Sequence, residues 1–527
     1  MHTVQVFELV IALLLVIVAL HYIAHRLSLP PAVALLTGGS ALAFLPGLPV
    51  ISLDPELVLV VFLPPLLMDG AWFTAVAHFR RHIIGILSLA IGAVLFTTVV
   101  VAVVAHWLMP SLPWAACAAL GAIVSPPDAV SARAVLQRVR LPRRLTTLLE
   151  GESLLNDATG LVLFRFAVAA VVTGSFSAGD ALVSFGILAL GGVVVGAAIG
   201  GVWVLLVRRL KEQDLMIASS ILLCWASYLA GEQLHVSGVI ATVTAGLIAG
   251  WHQHTVLSAQ VRMRAGGFWT VMIFLLEAFV FILIGFSLRG VIERVGGFGP
   301  VLHDMAWPAM VIVLAVILAR FVWVFGSDAV LALARRIGLT RKPPIGPRAA
   351  VVMSWAGMRG VVTLAVALTL PEEMPGRDFM LVTAFAIILA TVLLQGTTLG
   401  VVIRALGVRE AEGAGPPLSL AQAEAAMARE QLKVVEAVAH DAEGKLIHPR
   451  LLDSYRTRAT IAANYPGREV ELQAGMEAHF AVVIAAVTAG RAELVRLHRA
   501  NQIDDEILHN LERDLDIEEL GAMAALS

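Results

Sequence analysis

The sequence predicts an all-α polytopic membrane protein. Thirteen transmembrane helices form inverted repeats with two broken helices, and a helical cytoplasmic C-terminal region follows. Three observations carry this. The 527 residues are 59% hydrophobic and 14% charged, whereas soluble chains run at roughly 45–50% apolar and about 25% charged. Basic residues alternate between the loops that join the apolar segments. Two apolar segments are interrupted mid-span, at matching places along the chain.

A spanning helix needs about 20 mostly apolar residues. Such segments run near 6–26, 31–46, 55–77, 82–108, 113–139, 145–173, 181–207, 214–231, 236–251, 267–288, 301–326, 347–371 and 378–404. The second and ninth are short. The first lacks a basic region before its apolar run and a small-x-small site after it, so it reads as a spanning helix rather than a cleaved signal. Seventeen Lys and Arg residues follow odd-numbered spans and three follow even-numbered ones. A wrong count would scramble that alternation. Basic loops stay inside, which places the N-terminus outside the cytoplasmic membrane and the C-terminal tail in the cytoplasm.

Residues 1–405 thus read as a transmembrane domain, 406–418 as a linker and 419–527 as a helical tail. "EGAGPPLS" (412–419) has the Gly and Pro content of a linker. Amphipathic segments follow at 419–440, 468–500 and 503–520. A net charge of −2 gives no basis for nucleic-acid binding. Cys117 and Cys224 both lie in apolar segments and read as packing residues, with no disulfide, thiol or metal motif. No cofactor and no enzymatic chemistry are expected.

"GAIVSPPDAVSARAVL" (121–136) interrupts the fifth span. Pro126 and Pro127 each remove a donor and push the preceding residue out of the helical region. Asp128 then stands as an N-cap. "VVMSWAGMRGVVTLAVAL" (351–368) interrupts the twelfth span, the fifth counted from the eighth, with Gly357 and Gly360 around Arg359. Irregular backbone at membrane depth must face protein or a water-filled cavity. Opposed half-helices put like ends close together, and Asp128 and Arg359 are the natural partners for those ends.

Ionisable residues inside spans default to a functional hypothesis. Here they are Asp69, Asp128, Glu152, Asp157, Glu277, Arg320 and Arg359, with Arg165 in the sixth span. The densest group is "GESLLNDATGLVLFRF" (151–166). Ser153 and Asp157 are i and i+4 on one helical face, with Asn156 beside them. A carboxylate, a hydroxyl and nearby carbonyls form an oxygen cage for a hard monovalent cation. A carboxylate so placed can hold a proton instead. Binding one or the other, never both, is the minimum machinery for exchange. Glu152 lies on another face and suits a buried ion pair with Arg320.

"GESLLNDATGLVLF" closely resembles the signature helix of monovalent cation:proton antiporters, in the electroneutral branch shared by bacterial sodium/proton exchangers and their animal relatives. "FLPPLLMDGAW", "GAIVSPPDAVSA", "ARFVWVF" and "SWAGMRGVVTLAVAL" follow the family's order, and the resemblance covers roughly residues 6–405. It implies that Asp157 binds cation and proton alternately and that Ser153 is a direct ligand. Asn156 stands where electrogenic relatives carry a second Asp, which implies one cation exchanged for one proton. Glu152 and Arg320 look like the family's structural pair. Asp128 and Arg359 look like the residues that compensate the half-helix dipoles, and Asp69 like an acidic residue that approaches the site.

The resemblance further implies a homodimer in the lipid bilayer, whose core domain moves against a dimerisation domain. The transported ions would be Na+ and H+, in the service of pH homeostasis, with Li+ or K+ in place of Na+ as the alternative. One departure stands out. Many relatives read Thr-Asp-Pro at the first break, whereas this chain reads "PPDA". A Pro127 carbonyl is still available as a ligand, but no Thr hydroxyl is. A channel or uniporter would need a lined filter, and no filter-like repeat is present. An anion or solute symporter would need cationic or aromatic groups at the midplane, where this chain is mainly acidic.

Overall fold

A computed structural model describes residues 3–27, 29–45, 55–128, 141–175, 177–408, 420–440, 446–464, 469–500 and 502–526. Two compact units divide the chain, Met1–Glu410 and Ala411–Ser527.

The described residues of the first unit form helices joined by turns and irregular segments. Its elements are α1 (Thr3–Arg26), α2 (Pro31–Ala43), α3 (Pro55–Phe73), α4 (Val76–Leu87), α5 (Val94–Leu108), α6 (Trp114–Val124), α7 (Arg143–Thr173) and α8 (Ala178–Val207). Then follow α9 (Gln213–Gln233), α10 (Gly238–Val256), α11 (Ala259–Arg294), α12 (Ala306–Arg336), α13 (Pro347–Trp355), α14 (Val361–Leu368), α15 (Arg377–Ala390) and α16 (Gly396–Leu406). π-helical turns at Ser88–Ala93 and Thr391–Gln395 join α4 to α5 and α15 to α16. Ser177, Ser237 and Ser258 accept from the backbone N–H three residues on, capping α8, α10 and α11.

Among the described residues, eight helices are long and apolar enough to cross a membrane, and three shorter apolar helices accompany them. Each expected span overlaps helix among the described residues, with the fifth described only as far as Asp128, but thirteen exceeds what length and composition alone identify. The physical reason is visible at the short elements. α2 has 13 residues, α6 has 11, and α13 and α14 have 9 and 8. Helices that stop at mid-depth fail a length criterion. Pro64 and Pro65, by contrast, sit inside α3 without breaking it. The half-helix expected after Asp128 and the linker at 412–419 lie outside the described residues.

Close approach without a hydrophobic drive requires small residues at helix crossings. A Cβ added to Gly285 on α11 would strike the backbone of Leu36, Gly39 and Ser40 on α2. Gly196 on α8 likewise meets the Ala241 backbone of α10. The outer face of α8 carries exposed Leu182, Val183, Ile187, Leu190 and Val194, the inverse of a soluble helix and what a multi-pass membrane protein presents to its surroundings.

The second unit contains α17 (Leu420–Val438), α18 (Pro449–Asn464), α19 (Glu469–Arg499) and α20 (Asp505–Leu526). Ala425 and Ala428 of α17 pack on Ala459 and Ala462 of α18. Arg491 of α19 reaches Asp516 and Glu519 of α20 at 2.7 and 2.6 Å. The sequence reading has no helix at α18, which is polar and starts on Pro449, a residue suited to the first helical position.

Gly285→Ala is expected to lower stability by about 1–3 kcal/mol, read as a drop in Tm in detergent. Gly267→Ala on the same helix, where nothing lies within 4 Å of the added carbon, should be neutral or slightly stabilising.

Candidate functional site

α7 presents two working faces. Glu150, Ser153, Leu154 and Asp157 follow the i, i+3, i+4, i+7 spacing of one helical face, and all four line a cavity of about 520 Å3. Glu152, Asn156 and Gly160 follow i, i+4, i+8 on a second face. That face turns toward the helix breaks and the neighbouring helices.

The cavity lies within the first unit, between α7 and helices α1, α2, α3, α11 and α14. Besides Asp157 and Ser153 it is lined by Asp69 of α3, Asp128 of the first break, Glu277 of α11 and His21 of α1. Apolar walls come from Leu35, Leu63, Phe281 and Val361. Asp157 is 9% exposed and lines this cavity. Among the described residues no three His, Cys, Asp or Glu side chains converge closely enough to hold a metal ion. The acidic groups of the cavity come from α7 (Glu150, Asp157), α3 (Asp69), the first break (Asp128) and α11 (Glu277), with Ser153 one turn before Asp157.

Asn156, fully buried, faces away from the cavity. Its Nδ2 donates to the Pro127 carbonyl at 2.6 Å, while its Oδ1 is buried without a partner. The sequence reading groups Asn156 and Pro127 with the cation ligands. The structure pairs them with each other: the Pro127 carbonyl lies beyond the end of α6 and takes its donor from the Asn156 side chain.

The two breaks cross here. α6 ends at Val124 and α13 at Trp355. The Asp128 N–H donates to the Met358 carbonyl at 2.7 Å. A Cβ on Gly360 would meet the Asp128 carboxylate, so Gly360 is what lets that carboxylate lie against the N-terminal end of α14. Arg359, 1% exposed, takes the opposite ends. Its Nε donates to the Val124 carbonyl at 2.9 Å, its Nη2 to Ser125 at 3.1 Å, and its Nη1 to Gly357. A cation on the last carbonyls of α6 and an anion at the start of α14 match the field of each helix end.

Glu152 and Arg320 form a bidentate pair at 2.6 and 2.8 Å, at 1% and 2% exposure. Arg320 Nε also donates to the Met353 carbonyl at 3.1 Å. The pair therefore ties α7, α12 and α13 together. Arg165, which sequence places in a span, is exposed and pairs with Glu232 of α9 at 2.9 Å. Glu150 and His21 are the cavity residues that sequence reasoning missed. Glu150 was legible, since it stands one turn before Ser153 and two before Asp157. His21 carried no such signal, because only the packing of α1 beside α11 brings it to the cavity, edge-on to Phe274 at 4.9 Å.

Residues 10–405 match the family model described as sodium/hydrogen exchanger, transmembrane. An uncharacterised Na+/H+ exchanger of Mycobacterium tuberculosis is 31% identical over 528 aligned residues, covering 97% of this chain and 95% of the relative. A sodium, potassium, lithium and rubidium/H+ antiporter of Bacillus subtilis is 34% identical over 414 residues, 74% of this chain and 60% of that protein. The fold matches the solved structure of the sodium proton antiporter MjNhaP1 from Methanocaldococcus jannaschii, with a TM-score of 0.62 at 21% identity, over 77% of this chain and 99% of that one.

Removing one partner of the buried pair leaves an uncompensated charge at a cost of about 3–5 kcal/mol. Glu152→Gln is accordingly expected to lower Tm in detergent sharply and to reduce the amount of folded protein. Exchanging the two residues together should recover part of that loss.

Proposed function

This chain belongs to the sodium/hydrogen exchanger family and exchanges monovalent cations for protons across a membrane; from that premise we propose that the exchange is electroneutral, with Asp157 carrying either one cation or one proton. One observation carries the reading. Asp157 and Ser153 share a single cavity with Asp128 and Asp69, while the second polar residue of the helix, Asn156, is engaged at the crossing and carries no charge. With Asp157 as the single exchanging group of the Asn156–Asp157 pair, the stoichiometry is one for one, and competition for that carboxylate couples the two flows.

The cavity points to one side. Its walls include His21, five residues before Arg26, and Phe73, ahead of Arg80 and Arg81. These are the helix ends that carry basic loops, so the cavity is open toward the cytoplasm. Beyond Val361 the helices pack on an apolar cluster that includes Phe62, Ile284, Leu364 and Leu368. Alternating access then opens this seal while closing the other side. Asp69 sits on the approach to Asp157. The chain acts in the cytoplasmic membrane as a homodimer, with its N-terminus outside and its tail in the cytoplasm. It serves pH homeostasis as a transporter that makes and breaks no covalent bond. The exposed apolar face of α8 supports contact with lipid or a second copy.

Na+ is the first-choice cation. The Bacillus subtilis relative acts on sodium, potassium, lithium and rubidium, which supports K+/H+ exchange as the second reading.

In everted vesicles carrying the protein, adding Na+ should collapse an imposed ΔpH whether or not the membrane potential is clamped. Asp157→Asn should abolish the response, and normal exchange by that variant would defeat the mechanism. Dependence on potential would defeat electroneutrality alone. Because proton and cation compete for one group, the apparent Km for the cation should rise as pH falls, by up to about tenfold per unit.

A further inference from the structure

We propose that Thr391 is a positioning residue for exchange: its hydroxyl fixes the Met358–Arg359 peptide and, through it, the Asp128 wall of the cavity. Thr391 is fully buried at the start of the π-helical turn Thr391–Gln395 and is absent from the cavity lining. Its Oγ1 donates to the Ile387 carbonyl at 2.7 Å and accepts the Arg359 N–H at 3.0 Å. A hydroxyl has one proton to give. With that proton committed to Ile387, a lone pair is left facing Arg359, and the direction of both bonds is set.

The residue held in this way is the hub of the crossing. The Met358 carbonyl on one side of the peptide accepts the Asp128 N–H. The Arg359 side chain on the other side holds the Val124 and Ser125 carbonyls of the first break. Both chain breaks thus lean on one backbone amide, and the amide leans on Thr391. Among the described residues no backbone carbonyl takes that N–H, because α13 has ended and α14 has not begun. Without the hydroxyl the amide is a buried donor with nothing to bind. The peptide is then free to rotate, and Asp128 moves with it. Sub-ångström placement of this kind decides how well a site holds its ligand.

The inference rests on the proposed exchange reading, so wild type and Asp157→Asn are assayed beside the new variants. Everted vesicles at matched protein level are titrated with Na+ at fixed pH. Thr391→Val keeps the shape and loses the acceptor, while Thr391→Ser keeps the acceptor. Thr391→Val is expected to raise the apparent Km for Na+ by about tenfold or more, with a drop in Tm no larger than that of Gly285→Ala. Thr391→Ser should stay within about twofold of wild type. If Thr391→Val fails to accumulate, Thr391→Ala replaces it with the same expectation. A hydroxyl that is merely structural would lower Tm or yield and leave Km alone, and that result overturns the proposal. So does an assembled Thr391→Ser protein as impaired as Thr391→Val. Normal exchange by Asp157→Asn would instead strike the Asp157 reading while leaving the Thr391 comparison readable. A wild type inactive with every alkali cation would remove both.

Discussion

Everything around the cavity depends on how two broken helices satisfy their backbone at membrane depth. Lipid offers no hydrogen-bond partner there, and each orphaned N–H or carbonyl costs several kcal/mol. The chain meets this demand by making each break the partner of the other. Arg359 supplies donors to Val124, Ser125 and Gly357. Asp128 gives its N–H to Met358, and Asn156 gives a donor to Pro127. Few of these bonds form within a single helix. The irregular segments are therefore stable only as a pair, and Asp128, held between them, is placed by both at once.

The same logic explains the two faces of α7. On the side of the crossing, Gly160 lets Pro126 approach, Asn156 anchors the break, and Glu152 is locked to Arg320. Buried ion pairs fix register more than they add stability, and here the pair ties α7 to α12 and, through the Met353 carbonyl, to α13. On the cavity side, Ser153 and Asp157 keep solvent access. A transported ion needs ligands that release it, so its groups belong on the wetted face. Groups that hold the scaffold belong where their bonds are complete.

Much of this was legible in the sequence because the signals are costly ones. Prolines in an apolar run, glycines around a buried arginine, and carboxylates at membrane depth have few uses, so their positions located the breaks, the ion pair and Asp157. The side-chain directions at residues 156 and 127 were harder to read. Asn156 is adjacent to Asp157, and adjacency hides a 100° turn around the helix that sends the amide to the crossing. His21 reaches the cavity only through tertiary packing. Thr391 reads as an ordinary residue of an apolar helix, since a threonine that bonds back to its own helix is common there. Its second bond, to a residue 32 positions away, has no local trace. α18 escaped because it is the most polar of the four tail helices overall, so its apolar stripe stands on few residues.

The choice of asparagine at position 156 then follows from two demands that converge on one side chain. The Pro127 carbonyl can only accept, so its partner must donate, which an ionised carboxylate cannot do. An aspartate there would set two acceptors face to face in a buried site, or else require a proton of its own. Asparagine supplies the donor through Nδ2 and adds no charge, at the cost of an Oδ1 left without a partner. On the proposed reading, the bond that closes the first break is also what leaves Asp157 as the single titrating carboxylate of the Asn156–Asp157 pair. The backbone problem created by "SPPD" and the one-for-one exchange proposed for "ND" thus have a common solution.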